Sequence, residues 1–307
     1  MPVLTIAAAG AHDPSELAYY CERLEAGDIL LFPHSPIAFD AQDHEFLLNQ
    51  QQVGSGYHKN IAYRPSEDRV TGFVETSQES DRQLHEIMRE YSQAVVHFLS
   101  GFLAPYSQRW DLDYASYRPQ AEESRQLAQR KRNDLLHTDA FPTRPTRGAR
   151  ILRFFNNINP TDTRNWATGG TFGQLVRAFA VKGPAPEGKI SLPEPVNSVT
   201  RFKQSLGGVK AIHAIAPQLA RSPYDAFMMD FHNFLKENDA YQKTWEKEYI
   251  QFAPGSSWMV YTDTVAHAVL SGQYAMEQTF LVHHDAMVKP ELSPLNILES
   301  LVGGTLV

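Results

Sequence analysis

Leu84, Ile87, Met88, Tyr91, Val95, Phe98, Leu99 and Phe102 recur at spacings of three and four, which draws one apolar stripe along a helix from about Ser77 to Leu103. Thr76, followed three residues later by Glu79, reads as the capping box of that helix. A second helix opens at Ser222-Pro223, with the serine as N-cap and the proline in the first turn, and sets Phe227, Phe231, Phe234 and Leu235 on one side. His232 falls beside that side and reads as a core or rim histidine. Glu122 to Arg132 predicts a strongly charged helix, and Cys21 falls in a further helix near the N-terminus. Short apolar runs at Asp28–Pro33, Ile151–Phe155, Trp258–Tyr261 and Thr279–Val282 read as strands, and Val265–Leu270 as one more. Gly54-Ser55-Gly56 reads as a plain turn, and Asn156 to Gly170 as a turn-rich connection.

Strands thus fall on both sides of a helical block, without regular strand–helix alternation. That disfavours a doubly wound parallel sheet and predicts an α+β fold, an antiparallel jelly roll with flanking helices. The expected organisation is a single domain. Residues 1–134 give supporting strands and helices, 135–172 and 255–285 form the core, and 173–254 is a largely helical insertion.

Composition narrows the function classes. With 35 acidic and 28 basic side chains the net charge is -7, which argues against a general nucleic-acid binder. A single cysteine excludes an intrachain disulfide and any multi-cysteine metal site. No apolar run reaches membrane-spanning length and the N-terminus lacks a basic leader, so a cytoplasmic protein is expected. The charge is uneven. Residues 118–153 carry nine basic against four acidic side chains, +5 locally, which leaves -12 for the rest.

No phosphate-binding glycine loop and no nucleophile elbow is present. The informative pattern is His137-Thr138-Asp139 with His267 far downstream. Residues i and i+2 of a strand point the same way, so His137 and Asp139 can share one ion. A distant histidine completes a two-histidine, one-carboxylate face, which leaves positions open on Fe(II). Chance alone supplies about 0.6 His-x-Asp triplets in a chain with this much His and Asp, so the triplet by itself proves little. A second one, His283-His284-Asp285, has no later histidine to complete it, and these two histidines read as surface residues. Arg153 lies in an apolar strand and shares a face with Asn157 at period two. An arginine there either meets an anion or faces solvent from a sheet edge. Arg144, Arg147 and Arg150 follow the metal pattern closely and are candidates for anion recognition.

Four blocks then carry a resemblance: Leu135 to Pro142, Arg153 to Pro160, Ser222 to Asp225, and Trp258 to Gly272. Together the chain resembles the Fe(II)/2-oxoglutarate-dependent dioxygenase superfamily, and most of all the 3-deoxy-D-manno-oct-2-ulosonic acid (Kdo) hydroxylases. The resemblance implies a double-stranded β-helix (cupin-like) core, with Fe(II) on His137, Asp139 and His267. It also implies 2-oxoglutarate as cosubstrate, O2 as oxidant, and hydroxylation at C3 of Kdo in lipid A or its precursor, giving succinate and CO2. Peripheral contact with the cytoplasmic face of the inner membrane would follow from such an acceptor. Many members of the superfamily hold the cosubstrate's tail with a base ten to fourteen residues after the distal histidine. Here that window, Glu277 to Leu281, contains none, so Arg153 takes the role, with Asn157 beside it. Arg144, Arg147 and Arg150 are then the candidate substrate cations. An intact Asp139 favours hydroxylation over halogenation. Two other readings stay open at this level: an oxygenase acting on another anionic small molecule, and a non-catalytic cupin-like metal- or sugar-binding protein.

Overall fold

The computed structural model describes residues 2–7, 13–53, 60–124, 127–196 and 221–307. The Gly54–Gly56 turn and Arg125 lie outside them. Seven α-helices occur among the described residues: α1 (Pro14–Glu25), α2 (Ala41–Leu48), α3 (Gln78–Phe102), α4 (Phe172–Phe179), α5 (Pro223–Glu237), α6 (Asp239–Thr244) and α7 (Pro294–Val302). None is long and apolar enough to cross a membrane.

The long helix forms where the stripe predicts it, but its cap sits one residue later. Ser77, not Thr76, accepts from the Ser80 amide at 3.1 Å, while the Thr76 amide turns to the Asp81 carboxylate. Ser222 caps α5 as expected, its hydroxyl accepting from the Asp225 amide. Cys21 is buried in α1.

The strands are β1 (Val3–Thr5), β2 (Ile29–Phe32), β3 (Ile61–Arg64), β4 (Arg69–Thr71), β5 (Trp110–Arg118), β6 (Arg150–Asn157), β7 (Arg164–Thr171), β8 (Ala180–Val181), β9 (Ile190–Ser191), β10 (Glu248–Phe252), β11 (Ser257–Tyr261), β12 (Val265–Ser271) and β13 (Ala275–Val282). Eight of them make one sheet in the order β1-β2-β11-β6-β13-β5-β3-β4, antiparallel except for β1 and β2. A second, antiparallel sheet has the order β10-β7-β12. The two sheets face each other over an aromatic cluster. Trp258 and Phe155 come from the large sheet, and Phe252 and Trp166 from the small one, with Phe252 stacked on Trp258 at 3.8 Å.

Strand parity sorts the side chains of β6. Leu152 and Phe154 point outward into the core beneath α3, and the Asn156 amide oxygen accepts from the Tyr91 hydroxyl of that helix. Arg153 and Phe155 point inward between the sheets. A further core joins α4, α5 and α7 to the outer side of β7 and β12 through Phe172, Leu175, Phe231 and Leu298.

Two expectations are corrected. The connection after Asn156 contains a full strand, β7, because Arg164, Trp166 and Thr168 alternate inward at period two behind a polar-looking sequence. Among its described residues, the segment from Glu122 to Arg132 shows no α-helix, but 3-10 turns at Glu122–Ser124 and Gln129–Lys131. It is pinned to the second sheet instead, with Glu122 buried near Arg164 and the Glu122 amide donating to the Gly272 carbonyl just after β12. The block 173–254, expected to be largely helical, also carries strands among its described residues. Within it, β8 and β9 form a small parallel pair, and β10 belongs to the second sheet.

Candidate active site

The geometry of the metal pattern follows from one strand pairing. His137 and His267 form an antiparallel bridge, each amide donating to the other's carbonyl at 3.1 and 2.9 Å. Residues opposite each other in such a pair present their side chains on the same face. The imidazoles accordingly lie 4.8 Å apart, centroid to centroid. Asp139, two residues on, returns to that face and is held by its amide on the Thr262 carbonyl at 2.7 Å.

Both histidines are oriented for a metal. Nδ1 of His137 donates to the Leu135 carbonyl at 2.7 Å, and Nδ1 of His267 to that of Val265 at 2.9 Å. A carbonyl only accepts, so these bonds place the proton on Nδ1 and leave Nε2 as the ligand atom. Trp166 stacks on the His267 ring, 5.2 Å away and 21° from parallel. Burial pushes both imidazoles below their usual pKa, so they are neutral donors at neutral pH. The ligand atoms of His137, Asp139 and His267 all lie within 4.8 Å of one another. Two imidazoles and one carboxylate on a single open face fit Fe(II).

Arg153 completes this arrangement. It donates to Asp139 Oδ2 at 3.0 Å, which leaves Oδ1, 3.5 Å from His137 Nε2, for the metal. Its other arm reaches Glu277 Oε1 at 2.6 Å, and Arg118 holds Glu277 Oε2 at 2.7 Å. Burial alone would raise the pKa of both acids, but the arginines outweigh it and hold both below the usual carboxylate range. The whole group faces a cavity of about 750 Å³ lined by eight lysines and arginines against three carboxylates. Nε of Arg153 and Nε of Arg118 are buried donors without a partner in the protein. Buried donors of this kind in a cationic cavity fit a carboxylate guest such as 2-oxoglutarate.

The remaining candidates divide. Arg144 lines the cavity mouth, ion-paired with Asp113, its guanidinium 4.1 Å from the Tyr114 ring and 4.5 Å from that of Phe141. Arg147 is exposed, away from the cavity, in a turn where its φ is 52°. Arg150 is not a substrate cation. It has the parity of Leu152, is fully buried, and binds Asp263 at 2.8 Å and Thr264 at 2.5 Å beneath Tyr261. Arg150→Met should therefore strand a buried carboxylate and cost about 3 kcal/mol of stability or more. The expected result is a lowered melting temperature, with acceptor KM unchanged in the folded fraction.

Asn157 is also outside the site. It shares the parity of Arg153, but its amide donates to the Asp162 and Phe252 carbonyls and its oxygen accepts from the Asn159 amide. His283 pairs with Asp111 and His284 with Asn296, both away from the cavity. Sequence reasoning missed the roles of Glu277 and Arg118, and also the α5 wall with His232 and Lys236. The signal for that wall was a second stripe of α5, Met229, His232, Asn233 and Lys236, at helical spacing.

A family model described as 3-deoxy-D-manno-oct-2-ulosonic acid (Kdo) hydroxylase matches residues 8–305. The chain is similar to solved structures of the Kdo hydroxylase KdoO, described as a non-haem Fe(II) α-ketoglutarate-dependent dioxygenase. The apo form is 32% identical, covers all of this chain and 98% of its own, and has a TM-score of 0.82. The cobalt(II) complex is 31% identical with the same coverage and a TM-score of 0.82. The complex with α-ketoglutarate and Fe(III) is also 31% identical, with a TM-score of 0.80 at that coverage. No curated protein sequence matches significantly. A family match spanning nearly the whole chain, over a site with this donor set, means that the chain belongs to the Kdo hydroxylase family.

Proposed function

We propose that this chain is an Fe(II)- and 2-oxoglutarate-dependent hydroxylase acting at C3 of Kdo in lipid A or its precursor. The observation that carries this reading is the His137, Asp139 and His267 face, set beside a buried arginine at the inner end of a cationic cavity, in a chain of this family. The two facing sheets are then the two sides of a double-stranded β-helix, and the chain works as a single dioxygenase domain. A lipid-linked acceptor would bring it to the cytoplasmic face of the inner membrane as a peripheral visitor.

In the net reaction 2-oxoglutarate loses CO2 to become succinate. One atom of O2 enters succinate, and the other becomes the new hydroxyl on the acceptor carbon. Bound Fe(II) supplies the centre at which O2 is reduced. The protein's part is placement. The Nδ1 bonds fix both imidazoles, and Arg153 limits Asp139 to one free oxygen. Arg153, with the Arg118–Glu277 pair behind it, receives the distal carboxylate of 2-oxoglutarate. Phe155 and Trp166 wall off water at the inner end. Arg144, flanked by Tyr114 and Phe141, meets the anionic acceptor at the mouth.

The test is succinate release from 2-oxoglutarate in the presence of Fe(II), with and without Kdo-lipid A. Stimulation by the acceptor of about tenfold or more is expected, since acceptor binding completes the site. Turnover that ignores the acceptor would defeat the Kdo assignment.

A further inference from the structure

The chain that leaves the metal site has no strand pairing to hold it. Between Asp139 and β6, residues 140–149 form neither helix nor strand, and Pro142 and Pro145 have no amide to give to a neighbouring strand. Yet this loop builds part of the cavity mouth, which Phe141, Pro142 and Arg144 all line. Where those side chains stand depends on what fixes the loop's backbone.

The fixture comes from α5 and the residues leading into it. His232 holds the Thr138 carbonyl at 2.8 Å, Arg221 donates to the Pro142 carbonyl, and Asp225 takes the far end of the loop. Its Oδ1 accepts from the amides of both Thr146 and Arg147, at 2.8 and 3.1 Å. Its Oδ2 accepts at 2.7 Å from the hydroxyl of Ser222, the N-cap of α5. Asp225 is thus 7% exposed with both oxygens engaged, in the first turn of a helix, where negative charge is favoured. The backbone it grips is sharply bent, with φ at 52° for Arg147 and 89° for Gly148. A residue with a Cβ keeps a left-handed backbone only where its surroundings dictate it.

The metal ligand at the start of the loop does not depend on this grip. The Asp139 amide is held by the Thr262 carbonyl and its side chain by Arg153. Asp225 itself lies outside the cavity lining. The group it can place is Arg144, two residues before Thr146, which is ion-paired with Asp113 and flanked by Tyr114 and Phe141. We propose that Asp225 is a positioning residue for the acceptor: by fixing the Thr146–Arg147 backbone it sets Arg144 at the mouth, while the metal and 2-oxoglutarate sites stand without it. The inference rests on the reading above that Arg144 meets the acceptor. It gives the Ser222–Asp225 block a task beyond capping a helix.

The experiment measures KM for Kdo-lipid A with the full-length Fe(II)-loaded enzyme and with Asp225→Asn, Asp225→Ala and Arg144→Ala, singly and combined. Asparagine keeps the shape and one oxygen but loses the charge, and hydrogen bonds to a neutral acceptor are about half as strong. Asp225→Asn should raise the acceptor's KM about fivefold, and Asp225→Ala about tenfold or more. KM for 2-oxoglutarate, the acceptor-free rate of succinate formation and the calorimetric affinity for Co(II) should stay within about twofold. Residues that act through one group are not additive, so in the Arg144→Ala background either Asp225 substitution should change the acceptor's KM by less than about twofold. A role in folding alone would not depend on that background. If Asp225→Ala does not fold, Asp225→Asn decides by itself. An acceptor KM for Asp225→Asn within twofold of wild type, a parallel rise in KM for 2-oxoglutarate, or an undiminished effect beside Arg144→Ala would overturn the inference. Arg144→Ala with the wild-type acceptor KM, or a wild type that ignores the acceptor, would instead sink the reading on which it rests.

Discussion

The His137→Ala variant should lose Fe(II) binding, and with it conversion of 2-oxoglutarate to succinate, by about 10³-fold or more. The reason lies in how few groups hold the ion. Among the described residues, only His137, Asp139 and His267 bring three ligand atoms together, so removing one leaves a two-point site. The bridge that positions the pair is made by backbone atoms, so the strand pairing survives the truncation. His137 is a buried imidazole that burial holds neutral, and deleting it leaves no stranded charge. The metal-free variant should accordingly melt within a few degrees of wild type, a loss of function without a loss of fold. Calorimetric titration with Co(II) or Fe(II) checks the binding, and circular dichroism checks the fold. His232→Ala is the control. Its ring is as close to His137 as that of His267 is, yet it is not among the three converging ligands. Metal affinity within tenfold of wild type is expected for it, and a His137→Ala enzyme with full turnover would remove the triad.

That metal face was legible in the sequence because it depends on short-range rules. Period two puts His137 and Asp139 together, and chain order selects His267 and rejects the triplet at His283. The same parity rule, applied further, separates Arg150 from Arg153. Three residues apart on one strand, they face opposite sides of β6, and Arg150 ends in the outer core. Asn157 passes the parity test and still fails, because four residues of strand carry it about 13 Å beyond Arg153. Its amide closes a turn at the far end of β6. Other features were hidden because they depend on register between distant strands. Glu277 looks like an absent base until β13 pairs with β5 and β6, which brings Arg118 and Arg153 to it from 159 and 124 residues away. The charged run at 122–132 carries helix-compatible residues, but the ties of Glu122 to the Gly272 carbonyl and to Arg164 override that propensity.

Register also sets the second large effect. Arg153→Met should lower kcat/KM for 2-oxoglutarate by about 10²- to 10³-fold, mainly through KM. Arg153 is held between Asp139 at 3.0 Å and Glu277 at 2.6 Å. Burial opposes its charge, but the two carboxylates prevail and raise its pKa, so it is a permanent cation at the inner end of the cavity. Methionine preserves the length of the side chain and removes that cation. The cosubstrate's distal carboxylate then faces Glu277 with only Arg118 to balance it. Asp139 loses the partner that fixes its second oxygen, so metal affinity should also fall, by about 10- to 100-fold. Assays at saturating Fe(II) separate the two losses. Glu277→Gln gives the opposite sign: it removes the acid that competes for Arg153, so KM for 2-oxoglutarate should hold or fall. If Arg153 only positions Asp139, the Arg153→Met enzyme at saturating metal would keep the wild-type KM for 2-oxoglutarate, and Arg118 would become the anchor to test.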